Sequence, residues 1–238
     1  MASPKALLFD LDGVLVDTEP VHRATWIEAF ARLGVELTPE EESYLQGRRA
    51  EQVVAWLRER RGEAMESFDV ETLVRHKREL FAERVAKGVA EVPGAEAFLR
   101  RQKGVLPLGL VSSAGLKSIG RVMFVMNWRN VFDALIGAEH VAKTKPDPEP
   151  FLKAAARFRL DPKECLVFED SHIGIESALA AGAPVCGVAT TLSPATLLEA
   201  GARWTIPDFR DEATLDKALA GEGSGGGLMA SIRRAMRR

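Results

Sequence analysis

One stretch, residues 7–19 (LLFDLDGVLVDTE), constrains the fold more than any other. An apolar run leads into Asp10, a second carboxylate follows at Asp12, and Gly13 then permits a sharp turn. This pattern describes a buried strand with two acids at its C-terminal end. Holding like charges at the rim of an apolar sheet costs desolvation and repulsion. A cation must therefore share the place, most simply a hard metal ion bound by oxygens. An EF-hand loop also opens D-x-D, but Val14 stands at the fifth position and Val21 at the twelfth, where oxygen ligands belong. Surface acids at a turn are the other alternative, and the rest of the chain has to decide.

Beyond this strand the period changes. Trp26, Ile27, Phe30 and Leu33 form a helical stripe ended by Gly34, and Thr38-Pro39-Glu40-Glu41 reads as a capping box. Val53, Val54, Trp56 and Leu57 form a second stripe, and Leu73, Leu80, Phe81 and Val85 a third. From Gly94 on, helix and strand patterns alternate, the mark of a parallel α/β sheet. Strands are expected at 108–111, 131–136, 165–168, 185–188 and 204–206, with helices at about 95–103, 115–126, 148–158, 171–181, 193–200 and 211–219. Pro107 offers no ladder donor, so the second core strand begins after it. The expected fold class is α/β, a doubly wound parallel-sheet (Rossmann-like) core with an inserted all-helical domain. Residues 1–17 and 91–220 make the core and 18–90 the insert, while 221–238 hold a Gly-rich linker (GEGSGGG) and a basic tail.

In such sheets ligands bind beyond the strands' C-terminal ends, where the remaining polar residues fall. Ser112 and Ser113 follow an apolar run and precede Ala114-Gly115; hydroxyls and N–H groups at a strand-to-helix turn hold phosphate, although serines there also serve as helix caps. Lys145 lies in KTKPDPEPF, either a solvated lysine in a stiff loop or the cation that crowded carboxylates require. Glu169 and Asp170 end the apolar run CLVF just before a helix.

FDLDGVLVDTEP, the serine pair, KPDPEPF and CLVFEDSHIG, in that order, resemble the four motifs of the haloacid dehalogenase superfamily, in its branch of Mg-dependent phosphatases and β-phosphoglucomutase-like enzymes. The resemblance spans residues 6–207 and implies roles. Asp10 is the nucleophile that becomes an aspartyl phosphate; Asp12 protonates the leaving group and later activates water. Ser112, with Ser113, binds the phosphoryl group, and Lys145 steadies nucleophile and phosphate. Mg²⁺ is the implied cofactor, held by Asp10, the main-chain carbonyl of Asp12 and Asp170, with Glu169 orienting metal-bound water. The helical insert is an implied lid. Within it His22, Lys77 and the arginines of Gly47-Arg48-Arg49 match substrate-reading positions. The implied substrate is a small phosphorylated metabolite, a sugar phosphate or a phosphoglycolate-like acid.

The expected reaction is phosphomonoester hydrolysis, with a β-phosphoglucomutase-type phosphotransferase as the alternative. Ala50 stands where the mutases place an arginine, and the segment from Thr190 to Ala202 is similar to the phosphatases. His22 and Lys77 match positions used by the mutases, although both types also occur in related phosphatases. A receiver-type signalling domain is a less fitting alternative, because it carries no helical insert after its first strand. So is a non-catalytic phospho-ligand binder, which would have lost one of the acids.

The formal net charge of −2 offers nothing to nucleic acid, and no apolar run reaches the length of a membrane span. The expected setting is the cytoplasm, as a monomer or a dimer. Cys165 and Cys186, both inside apolar strands and without a C-x-x-C partner, read as buried free thiols.

Overall fold

The structure, a computed structural model, describes residues 2–45, 50–65 and 68–223. Gly47, Arg48 and Arg49, and the tail beyond Gly223, lie outside them. In chain order the elements are β1 (Ala6–Phe9), β2 (Val16–Asp17), α1 (Glu19–Ala31), α2 (Pro39–Tyr44), α3 (Ala50–Arg61), α4 (Val70–Ala86), β3 (Ala90–Glu91) and α5 (Ala95–Gln102). Then come β4 (Leu108–Val111), α6 (Leu116–Val125), β5 (Ala134–Ile136), α7 (Glu149–Arg157), β6 (Cys165–Glu169), α8 (His172–Ala181), β7 (Val185–Val188), α9 (Pro194–Glu199), β8 (Trp204–Ile206) and α10 (Glu212–Leu219). By mutual contact the chain divides into Met1–Val16, Glu91–Gly120 and Trp128–Arg238 on one side, and Asp17–Ala90 with Arg121–Asn127 on the other. The second half of α6 thus groups with the helical unit, outside the 18–90 span expected for the insert.

The first unit holds a six-stranded sheet in the order β5-β4-β1-β6-β7-β8, with every pairing parallel. From β1 the chain builds outward through β4 to β5, then returns to β1's other side for β6. That reversal makes the C-terminal end of β1 the topological switch point, where a doubly wound sheet leaves a crevice. Both faces of the sheet are buried, so its strands read as unbroken apolar runs rather than alternating ones. Leu8 and Val167 point into a cluster with Phe151 of α7, Ile175 of α8 and Leu197 of α9. Phe9 points the other way and stacks on Phe168 at 4.8 Å, with Phe98 of α5 edge-on at 6.2 Å. This two-sided burial holds the end of β1 rigid.

Two expectations change. β5 is shorter than the apolar run, because Val131 donates its N–H to Trp128 in a turn (3.0 Å) and Asp133 ties that turn to β4 by accepting from Leu108 (2.9 Å). β2 and β3, paired with each other, were not anticipated; two residues each are too few to show a period. Cys165 and Cys186 are buried free thiols, and burial pushes Cys165 up to about 12. Among the described residues no helix is long and apolar enough to cross a membrane.

The helical unit closes around Trp26, Phe30, Val54, Leu57, Leu73 and Leu80. Thr38 accepts from the Glu41 N–H while Glu41 accepts from the Thr38 N–H, the expected capping box. Arg61 of α3 grips the same carboxylate with two hydrogen bonds, 2.8 and 2.5 Å, and donates to the Glu36 carbonyl. The Arg61 hydrogen bonds hold Glu41 down at about 2, from an ordinary 4.5. A depressed carboxyl stabilises the fold above its unfolded pKa and loses that contribution as pH falls toward the folded one. Glu41→Gln should therefore cost about 1–2 kcal/mol at pH 7, after discounting for the partly exposed Arg61. The gap in unfolding free energy between variant and native protein should close between pH 4.5 and 2, as thermal melts at stepped pH will report. A constant gap would refute the ion-pair account.

Candidate functional site

Asp10 leaves the end of β1 with its N–H donated to the Phe168 carbonyl, 3.1 Å, so the neighbouring strand fixes where its side chain starts. Asp12, half-buried, heads a turn closed by Gly13 N–H to Val16 O at 2.8 Å. Gly13 has φ +79°, and a Cβ there would overlap the Asp170 carboxylate. The glycine is required both by the turn and by the approach of Asp170.

Lys145 is the hub. Its ammonium, 4 % exposed, donates to Asp10 Oδ1 at 2.6 Å, Glu169 Oε1 at 2.6 Å and the Val111 carbonyl at 2.9 Å. Its three donors thus meet the C-terminal ends of β1, β6 and β4. The loop that delivers it is staked at both sides. Glu149 accepts from the N–H groups of Ala142 and Lys143 (3.0 and 2.9 Å), and Ser177 of α8 donates to the Asp147 carbonyl (2.6 Å).

Four acids, Asp10, Asp12, Glu169 and Asp170, share this end of the sheet with one ammonium. Burial pushes the Asp10 carboxyl well above the carboxylate range; Lys145 pulls it back, and the charges of Glu169, Asp170 and Asp12 add to the rise. Burial, then Glu169, lifts Asp170 to about 7 against the opposing Thr191 hydroxyl and Lys145. Burial alone would lower the Lys145 ammonium, but Asp10 and Glu169 reverse this and raise it.

Glu169 is fully paired within the chain. Both its oxygens are engaged: Oε1 by Lys145, Oε2 by the Asp170 N–H (3.2 Å) and the Ser171 hydroxyl (3.1 Å). Gly174, in the first turn of α8, makes room for it, since a Cβ there would overlap the Glu169 carboxyl. In an ordinary helix Gly→Ala is worth about 1 kcal/mol of stability. Here Gly174→Ala should lower the melting temperature, because the new methyl drives a buried, paired carboxylate from its place; a raised melting temperature would contradict this packing.

Ser112 is buried at the end of β4, and its Oγ accepts from the Ala114 N–H at 3.0 Å, leaving its own proton to donate elsewhere. Ser113 is exposed. The start of α6 is less open to an anion than the sequence suggests, because Glu139 already takes the Leu116 N–H with both oxygens (3.1 and 2.9 Å). In the helical unit His22 and Lys77 meet, Nδ1 to Nζ at 3.4 Å. His22 stacks on Phe81, and the Lys77 ammonium lies over the Trp26 ring. Arg48 and Arg49 lie outside the described residues.

Sequence reasoning missed Thr190 and Thr191 as site residues. Thr191 donates to Asp170 Oδ2, and Thr190 to the Gly13 carbonyl at 2.5 Å. The signal was the same one that found the other residues: a polar pair just beyond a strand, here β7.

Among the described residues no three His, Cys, Asp or Glu side chains group to hold a metal ion. The carboxylates of Asp10 and Asp170 stand beside the Asp12–Gly13 main chain with an excess of negative charge. Hard oxygen donors that leave positions to water and phosphate fit Mg²⁺.

A family model for haloacid dehalogenase-like hydrolases matches residues 4–182. The chain is 32% identical over 222 residues to Protein CbbY of Rhodobacter capsulatus, covering 88% of this chain and 96% of that one. It is 30% identical over 179 residues to the fructose-1-phosphate phosphatase YqaB of Escherichia coli K12, covering 74% and 92%. Among solved structures, a candidate β-phosphoglucomutase from Thermotoga maritima superposes with a TM-score of 0.76 at 27% identity, covering 90% of this chain and 99% of that one. The motifs, the switch-point site and these likenesses agree: the chain belongs to the haloacid dehalogenase-like hydrolase family.

Proposed function

We propose that this hydrolase is a Mg²⁺-dependent phosphatase that cleaves small phosphorylated metabolites of the sugar-phosphate class in the cytoplasm, through a phosphoryl group carried on Asp10. The observation that carries this reading is the Lys145 ammonium bridging Asp10 and Glu169 at 2.6 Å each, at the mouth of β1. The fructose-1-phosphate phosphatase relative supports the substrate class.

An Asp10 oxygen attacks phosphorus in line, the P–O ester bond breaks, and the leaving alkoxide takes a proton from Asp12. Asp12 then removes a proton from water, which attacks the phosphorus of the aspartyl phosphate; inorganic phosphate leaves and Asp10 is regenerated. Lys145 keeps Asp10 aligned and offsets charge on the transferring group, and the Ser112 hydroxyl donates to a phosphoryl oxygen. Asp10, Asp170 and the Asp12 carbonyl would hold Mg²⁺, which when bound neutralises phosphoryl charge. His22 and Lys77, and from the loop Arg48 and Arg49, read the organic part of the substrate.

The test is a panel of phosphate monoesters, with Mg²⁺ and with EDTA. Phosphate release from sugar phosphates that EDTA abolishes and Mg²⁺ restores is the expected result; no release from any ester under Mg²⁺ would overturn the reading. The Thermotoga maritima likeness favours a second reading, isomerisation. It predicts that β-glucose 1-phosphate, primed with glucose 1,6-bisphosphate, becomes glucose 6-phosphate without free phosphate. Ala50, in place of the mutases' arginine, argues for hydrolysis instead.

A further inference from the structure

We propose that Thr191, assisted by Thr190, is a positioning residue that presets the metal cradle by fixing Asp170 against the turn after β1. This inference rests on the metal reading above and extends it to residues that touch neither substrate nor metal.

The two hydroxyls sit side by side in the turn that follows β7 and reach two different parts of the site. Thr191 Oγ1 donates to Asp170 Oδ2, while Thr190 Oγ1 donates to the Gly13 carbonyl at 2.5 Å. Gly13 in turn lies against both, since a Cβ on it would overlap Asp170 and come within 3.2 Å of Thr191 Oγ1. One turn therefore ties the end of β6 to the turn after β1, which carry the expected ligands Asp170 and the Asp12 carbonyl. With Oδ2 held by Thr191, Oδ1 is the oxygen left for a metal.

Helix capping does not explain the threonines. Ser193 caps α9 by accepting from the Thr196 N–H at 3.1 Å, so neither Thr190 nor Thr191 is needed there. Thr191 is also exposed, so its methyl adds little to the core. A hydroxyl fixed on one oxygen of Asp170 selects the orientation from which the other binds metal. Residues hydrogen-bonded to a metal ligand typically contribute about 10–100-fold to metal affinity.

The experiment is direct Mn²⁺ binding, read by the loss of free Mn²⁺ signal in electron paramagnetic resonance, with no substrate present. Thr191→Val keeps shape and removes the donor; Thr191→Ser keeps the donor. Thr191→Val should bind Mn²⁺ about 10-fold or more weakly, and Thr191→Ser within about 3-fold of native. In turnover, Thr191→Val should need correspondingly more Mg²⁺ for half-maximal rate, with kcat at saturating Mg²⁺ changed only a few-fold. Thr191→Val that melts like the native protein and binds Mn²⁺ as tightly would overturn the inference and leave the metal reading intact. Thr191→Ser as weak as Thr191→Val would also overturn it, since the hydroxyl would then not be what matters. Native protein that binds no Mn²⁺ would overturn the metal reading, and the inference with it.

Discussion

Asp10→Asn should reduce kcat/KM by about four orders of magnitude or more while the protein stays folded. The amide keeps the shape and can still accept from Lys145, whose ammonium retains Glu169 and the Val111 carbonyl as partners. What disappears is the attacking charge, and in a mechanism that runs through one nucleophile nothing else supplies it. The same exchange removes one negative charge from a place where four acids crowd one ammonium. Asp10 has its carboxyl raised in the folded state, so its ionised form opposes folding as pH rises. The melting temperature of metal-free Asp10→Asn should therefore stay within a few degrees of native at pH 7, about 1 kcal/mol or less. Paired melts and steady-state rates check both halves. Retained turnover would remove Asp10 from the chemistry, and a collapsed fold would show that the ion pair is structural first.

The second large effect belongs to Lys145. Lys145→Met fills the space with an apolar chain but strands the carboxylates of Asp10 and Glu169, whose side chains are 13% and 1% exposed. Removing one partner of a buried ion pair typically costs about 3–5 kcal/mol. The cost should depend on pH in a definite direction. Without the ammonium, the Asp10 carboxyl, already raised by burial, stands further above its unfolded pKa. Acids of this kind oppose folding as pH rises through that window and cease to do so below it. The destabilisation should therefore be large at pH 8 and shrink toward pH 4. Turnover should be lost throughout, because lowering the pH protonates Asp10 rather than restoring its alignment. Denaturant titrations at four or five pH values measure this directly. A penalty independent of pH would mean that lost packing, not stranded charge, dominates.

Much of the fold was legible because a doubly wound sheet buries both faces of its strands. β1, β4 and β6 are short apolar runs, and such runs end where the strand meets the site. Asp10, Ser112 and Asp170 stand at those ends for that reason. Lys145 was harder to read. Nothing in its local sequence says that it is buried; the surplus of acids demanded a cation, and the likeness of KPDPEPF to a family motif picked out this lysine. The residues alone did not divide the labour between Glu169 and Asp170; only the resemblance implied Asp170 as the metal ligand with Glu169 behind it. Adjacent acids leave a strand toward opposite faces, and which one meets Lys145 depends on α8 and on the room at Gly174. Thr191 stayed hidden for a related reason: a threonine in an exposed turn looks like turn chemistry until its long-range partner is known. The extra residues at the start of the expected β5 were misread because an apolar run reads the same in a buried turn as in a strand.

The central claim is that the phosphoryl group is carried on Asp10, and chemical trapping tests it most directly. The enzyme is mixed with substrate and Mg²⁺, quenched in acid within a turnover, and treated with borohydride, which reduces an acyl phosphate to the alcohol but leaves free carboxylates alone. Peptide mass spectrometry then reads each position. The account predicts homoserine in place of aspartate at position 10 and nowhere else, absent without substrate and absent from Asp10→Asn. Turnover at full rate with residue 10 unreduced, or with the label at Asp12 or Asp170, would contradict it.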